Sequence, residues 1–383
     1  MLINSPVDEV KRREAALKII KSTVRKEGRD KLYDLTGLAG GFFLMKSDVG
    51  LLETYAGPAV FEDAIQTVGK IHMGGEKILP LNRTSSGILA AVLALVKRGD
   101  EIVHYLPKKP AHPSIPRSAE LVGATYREFD DINDFEVGEK TALAFITGST
   151  MDHEIIDKKD FLKAVEISKS RNVPVFVDDA SGARLRTVIY KQPRAMDMGA
   201  DLAITSTDKL MDGPRGGLMA GKADIINLVK SKANQFGLEA QPPMVAGMVR
   251  ALENFTPEKI LEAFSKKHEV FTALNRDIKA VRETPTGVMI SADDLKAEVA
   301  PETPFSARDL SCTFAMLLLR KQNIITIPAV GMPGASPAIR LDLASNDANR
   351  VGENFVVEAF KESFSQFKCI VDDETACRAV LYS

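Results

Sequence analysis

From about residue 31 onward, short apolar runs alternate with helix-length amphipathic stretches. The runs lie at 101–105, 142–147, 173–178, 201–206 and 217–221, each five or six residues long. That is the length of strands buried on both faces. Between them the period turns helical. Residues 160–171 interleave Phe161, Leu162, Val165 and Ile167 with lysine and glutamate, and 88–96 reads as an apolar helix closed by Lys97, Arg98 and Gly99. This alternation predicts an α/β fold, a mainly parallel central sheet covered by helices. Ahead of it, residues 1–30 read as a helical arm whose Val10, Leu17 and Val24 recur every seventh position among charges, a stripe suited to a partner surface. Behind it, Gln241-Pro242-Pro243 marks a boundary. Helical patterns at 244–254, 257–278, 307–321 and 350–367, with strand-like segments near Val288 and Ile324, then predict a smaller α+β C-terminal domain. The expected parts are therefore 1–30, 31–243 and 244–383.

Composition narrows the setting. A formal net charge of -2 over 383 residues gives no global field for nucleic acid. The charged N-terminal stretch lacks the apolar centre of a secretory signal, and 88–96 is too short to span a bilayer. Three cysteines, Cys312, Cys369 and Cys377, fit neither a disulfide framework nor a common zinc spacing. These features point to a reducing cytoplasm.

Two of the predicted strands deliver charged groups at their carboxyl ends, the edge where open sheets of this class bind ligands. The run 173–178 ends in Asp178, and the run 201–206 leads into Ser206-Thr207-Asp208-Lys209. An acid and an amine at neighbouring strand ends suit pyridoxal phosphate (PLP). The lysine forms an imine with the aldehyde, and the carboxylate keeps the ring nitrogen protonated. Asp179 is the alternative acid, since adjacent side chains on a strand face opposite ways. Ala180 is small enough to lie under the ring. Ser206 and Thr207 offer hydroxyls to the phosphate. Thr84, Ser85 and Ser86 open the helix at 88–96, where free amides and the helix dipole favour an anion; simple N-capping by serine is the alternative. His112, in the loop after 101–105, offers a planar ring to stack on the cofactor or is an exposed loop histidine. Arg340 offers a guanidinium to a substrate carboxylate, or pairs with Asp342. The stretch 216–223 imitates a phosphate-binding P-loop but lacks its Ser/Thr and reads as a strand.

These motifs carry a resemblance. The segment Asp34-Leu35-Thr36-Gly37-Leu38-Ala39-Gly40-Gly41, and the segment from Ser206 through Asp208-Lys209-Leu210, Gly213-Pro214 and Gly216-Gly217, resemble those of fold-type I PLP enzymes. Within that group the chain is similar to bacterial selenocysteine synthase, L-seryl-tRNA(Sec) selenium transferase. It is more similar still to archaeal selenocysteine-synthase-like PLP proteins of unassigned reaction. The resemblance implies Lys209 as the Schiff-base lysine and a homodimer or larger ring with sites at subunit interfaces. It also implies elimination or replacement at the β-carbon of a serine-like substrate. The bacterial synthase has a substantial N-terminal domain for its tRNA, whereas here the matching region begins near Asp34. With the slightly acidic charge, this makes a small amino-acid-type substrate the expectation over tRNA. Aminotransfer, or a non-catalytic PLP-binding, tRNA-associated role, would use the same residues.

Overall fold

The computed structural model describes residues 1–331 and 335–383. It divides into two compact units, one of Leu38–Pro257 and one of Met1–Gly37 with Glu258–Ser383. In chain order the strands of the described residues are β1 (Tyr33–Asp34), β2 (Lys77–Leu81), β3 (Glu101–Tyr105), β4 (Thr125–Phe129), β5 (Thr141–Thr147), β6 (Val175–Asp178), β7 (Leu202–Ser206), β8 (Gly217–Gly221), β9 (Arg282–Thr284), β10 (Gly287–Ile290), β11 (Ile324–Ile325) and β12 (Ile339–Asp342).

The unit Leu38–Pro257 is built on a seven-stranded sheet in the order β2-β8-β7-β6-β5-β3-β4. Strands β4, β3, β5, β6 and β7 run parallel, and β8 is antiparallel to both its neighbours. The alternation along β6 shows how the sequence is read by the two layers. Val175 and Val177 join one core with Phe161 and Ala164 of the helix Lys158–Ser170. Phe176 joins the other core with Ile88 and Val92 of the helix Thr84–Leu95. Burying each such side chain contributes about 1.5–3 kcal/mol, which fixes the strand's register, because a one-residue slip would exchange the faces. Asp178 therefore continues the Phe176 face, and Asp179 the Val177 face.

The predicted strands at 101–105, 142–147, 173–178, 201–206 and 217–221 correspond to β3, β5, β6, β7 and β8. The two edge strands, β2 and β4, carry no such signal. β2 contains Pro80, tolerated because an edge strand pairs on one side only. β4 is half-buried throughout except for its exposed first residue, with Arg127 and Glu128 among its five residues.

In the other unit, β12, β10 and β9 form an antiparallel sheet, and β1 pairs in parallel with β11. Its core is threaded by the helix Ala307–Gln322, buried from Asp309 to Leu319 and started by a reciprocal cap between Ser306 and Asp309.

Two boundaries differ from those drawn on the pattern at 30 and 243. The helix Pro6–Glu27 is not a separate arm. Its Ala15 and Ala16 lie in the core of this second unit, and buried Arg12 donates to the carbonyls of Pro328 and Ala329. Val10, Leu17 and Val24 face outward, 44%, 40% and 40% exposed. At the other position, Pro242-Pro243 starts a helix rather than ending a domain, since proline is favoured in a first turn. That helix, Pro242–Glu253, buries Val245, Ala246, Met248 and Val249, and its Arg250 clamps Asp48 at 2.6 and 2.9 Å. The break comes after it, between Pro257 and Glu258. Among the described residues no helix is long and apolar enough to cross a membrane.

Candidate active site

A cleft opens at the carboxyl ends of β5 and β6, lined by Asp178, Ala180, Lys209, Thr84, Ile88, His112, Thr147 and the loop after β5 among others. All these residues belong to the unit Leu38–Pro257.

Asp178 is buried, and its Oδ1 has no hydrogen-bond partner among the described residues. Burial pushes its pKa up to about 6; the Lys209 ammonium opposes this, and the Asp179 carboxylate adds to it. Period two gives Asp179 a different fate. On the opposite face it forms a two-point ion pair with fully buried Arg186, at 3.1 and 2.5 Å. The alternative acid is thus engaged inside the fold, while Asp178 lines the cleft with one buried oxygen lacking a hydrogen-bond partner among the described residues. Ala180 is held beside it, its carbonyl accepting the Ser206 N–H at 3.1 Å.

Lys209 sits in the turn after β7. Backbone contacts from the Leu38-Ala39 segment brace this turn: Leu38 bridges to Lys209, and the Ala39 N–H donates to the Asp208 carbonyl at 2.8 Å. Leu210 adopts φ +55°, a left-handed conformation unfavourable for leucine, so the chain turns sharply just past the amine.

The turn's own hydroxyls do not join the cleft. Ser206 donates to the Asp208 carboxylate, which also pairs with Arg215, and Thr207 donates to the Pro214 carbonyl at 2.6 Å. Both residues are buried, and their hydroxyls satisfy acceptors of the turn itself.

On the helix side, Thr84 and Ile88 reach the cleft, with Ser85 and Ser86 half-buried in the same first turn. The N-cap is Arg83, and no side chain caps the helix, so the serine N-cap alternative is not realised. Gly87 allows this helix to seat on the sheet, because a Cβ there would strike Ile204 and Leu81.

His112 is not an exposed loop residue. Its Nδ1 accepts the Ser114 N–H at 3.2 Å and lies 2.7 Å from the Ser114 hydroxyl. Burial first, then the charges of Lys209, Arg117 and Arg83, lower its pKa to about 4. It is a neutral ring with the proton on Nε2. Arg340 lies in the other unit, buried on β12, with Asp342 at 3.7 Å and the Thr36 carbonyl at 3.3 Å. The ion pair with Asp342 is present.

Sequence reasoning missed Thr147 and the loop Ser149-Thr150-Met151. The signal existed, since the run 142–147 ends level with Asp178, and β5 and β6 pair Thr147 with Asp178.

The residues gathered here fit PLP on an observation independent of any likeness. A buried carboxylate oxygen lacking a partner is the complement of a protonated ring nitrogen. An amine and an uncapped helix N-terminus open into the same cleft.

Comparison with known proteins agrees. Residues 120–301 match the L-seryl-tRNA selenium transferase family, and residues 277–352 match the UPF0425 C-terminal domain. A UPF0425 pyridoxal phosphate-dependent protein of Methanothermobacter thermautotrophicus is 51% identical over 99% of this chain and 100% of its own length. Its counterpart in Methanosphaera stadtmanae is 51% identical over 94% of this chain and 95% of its own. Among solved structures, a putative aminotransferase from Silicibacter pomeroyi superposes with a TM-score of 0.60 at 16% identity, over 92% of this chain and 96% of that one. The fold is thus that of the fold-type I, aminotransferase-like PLP proteins. The chain belongs to the UPF0425 family of pyridoxal phosphate-dependent proteins, and its cofactor is PLP.

Proposed function

We propose that the chain is an enzyme that acts on an amino acid or an aminoacyl derivative by elimination or replacement at the β-carbon. The observation that carries the catalytic reading is the open buried oxygen of Asp178 in one cleft with Lys209. The choice of β-chemistry is supported by the match of residues 120–301, which span both groups, to the selenium transferase family. When bound, PLP supplies an aldehyde that captures amines and a ring that draws electrons from a substrate's α-carbon.

The chain's own residues supply the rest. Asp178 Oδ1 accepts the ring N–H and holds that nitrogen charged. Lys209 Nζ is the covalent anchor and, once displaced, takes the proton from the α-carbon. Neutral His112 would stack on the ring, and Ala180 is small enough to leave room for it. The amides of the first turn of Thr84–Leu95, with the hydroxyls of Thr84, Ser85 and Ser86, hold the phosphate. We place the enzyme in the cytoplasm, as a homodimer or larger ring. Phe43, Val49, Tyr55 and Val60 support the assembly, because they leave an apolar surface uncovered on the cleft-bearing unit.

Three outcomes are expected. Borohydride reduction of the yellow holoprotein fixes the cofactor label on Lys209 by peptide mapping. A serine-like amino acid with a good β-leaving group then releases ammonia and a keto acid while the cofactor keeps its aldehyde form. Conversion of the cofactor to its amine form would instead favour aminotransfer. Sedimentation of the holoprotein at micromolar concentration gives a dimer or larger, and a monomer would remove the assembly.

A fourth outcome concerns the apoprotein. The folded pKa of Asp178, about 6, lies above the ordinary 3.8. The folded chain therefore holds an extra proton between those values, and this group's contribution to stability falls as pH rises through that window. Asp178→Asn removes the effect. Denaturation of the two apoproteins shows the variant gaining about 1–3 kcal/mol on wild type between pH 4 and pH 7. Its PLP affinity falls at the same time. A gain by wild type over that range would contradict the assignment.

A further inference from the structure

A buried hydrogen-bonded chain runs from the cleft to a carboxylate on the edge strand. Thr147 Oγ1 is 2.8 Å from His104 Nε2, and His104 Nδ1 is 2.8 Å from Tyr126 Oη. Tyr126 Oη donates to Glu128 Oε2 at 2.9 Å, which also accepts the Ala111 N–H at 3.2 Å. His104 is fully buried and Thr147 nearly so.

The chemistry of the end group sets the direction of every proton. Tyr126 Oη donates to Glu128, so its one hydroxyl proton points there. Tyr126 Oη must then accept from His104 Nδ1–H. A neutral imidazole with its proton on Nδ1 presents a lone pair at Nε2, and that lone pair takes the Thr147 hydroxyl proton. Burial lowers the His104 pKa to about 3, so it stays neutral, and burial with the Glu128 charge raises that of Tyr126, so it stays protonated.

Thr147 and Asp178 are register partners on adjacent parallel strands, on the same face of the sheet as Phe145 and Phe176. Neighbouring strands lie about 4.8 Å apart. The Thr147 hydroxyl lies within hydrogen-bond distance of His104 Nε2, and among the described residues Asp178 Oδ1 has no hydrogen-bond partner.

We propose that the Glu128–Tyr126–His104 chain is a positioning device that draws the Thr147 proton away from Asp178, keeping the Asp178 oxygen open for the N–H of the cofactor ring. The inference rests on Asp178 being the ring-nitrogen partner. Thr147 thereby becomes acceptor-only toward the cleft, so the floor formed by Thr147 and Asp178 is a paired acceptor edge. Such an edge takes a ligand with a donor at that position and rejects one that presents a lone pair.

The test is a double-mutant cycle on PLP affinity, read from quenching of the apoprotein's intrinsic tyrosine fluorescence or from the visible band. Tyr126→Phe removes the acceptor of His104 Nδ1–H. The imidazole then moves its proton to Nε2, and the Thr147 hydroxyl turns to Asp178. PLP affinity falls roughly five- to tenfold, the scale of one competing hydrogen bond. In a Thr147→Val background no hydroxyl is left to compete, and Tyr126→Phe has no effect on affinity. Nitrogen-15 NMR of labelled histidine shows His104 protonated at Nδ1 in wild type and at Nε2 in Tyr126→Phe. Equal losses in both backgrounds would overturn the proposal, because damage to packing or to the His112 loop does not depend on Thr147. So would an Nε2-protonated His104 in wild type. Asp178→Asn serves as the control: if it leaves affinity intact, the ring-nitrogen reading fails; if it weakens affinity while Tyr126→Phe does not, only the proton-directing chain fails.

Discussion

The structure turns on a buried carboxylate with one oxygen left without a hydrogen-bond partner among the described residues. Asp178 is buried at the carboxyl end of β6, one of its oxygens without a hydrogen bond. Desolvation alone would neutralise it, and its pKa near 6 reflects that pressure against the nearby Lys209 charge. A fold keeps such a group only where surrounding elements fix it. Here β5 and β7 flank the strand in register, and the Gly148 N–H bonds the Asp178 carbonyl at 2.9 Å.

The neighbouring carboxylate shows the opposite solution. Asp179 faces the other layer and is closed by Arg186, itself fully buried over the Phe161 ring at 5.3 Å. Removing one partner from such a pair leaves a buried charge exposed to none of its compensation, typically at about 3–5 kcal/mol. Gly148 and Gly182 are required beside it, because a Cβ at either would strike Asp179 Oδ1. Two adjacent acids thus divide the work by strand periodicity. One anchors the loop that follows the strand, and the other lines the cleft.

Much of this was legible in the chain. Apolar runs located five strands of the central sheet, because strands buried on both faces need unbroken apolar residues. Edge strands β2 and β4 escaped notice for the converse reason, since half-exposed positions tolerate Pro80, Arg127 and Glu128. Asp178, Lys209, Ala180, Thr84 and His112 were readable because strand ends and helix starts fix where side chains converge, and the cleft brings them together. The partners of the Ser206 and Thr207 hydroxyls were not legible, because composition does not reveal which acceptors a buried turn satisfies within itself. The seven-residue stripe of Val10, Leu17 and Val24 was real but outward-facing, while Ala15 and Ala16 made the contact with the core. Thr147 acquires meaning only through His104, 43 residues away, a pairing that no local pattern encodes.

The claim that Asp178 keeps the cofactor's ring nitrogen protonated is tested most directly by nitrogen-15 NMR of the protein reconstituted with ring-labelled PLP. The account predicts a pyridinium shift in wild type that persists to pH 8. In Asp178→Asn it predicts the shift of an unprotonated pyridine at the same pH. An unprotonated ring nitrogen in wild type, or a protonated one that does not depend on Asp178, would contradict it.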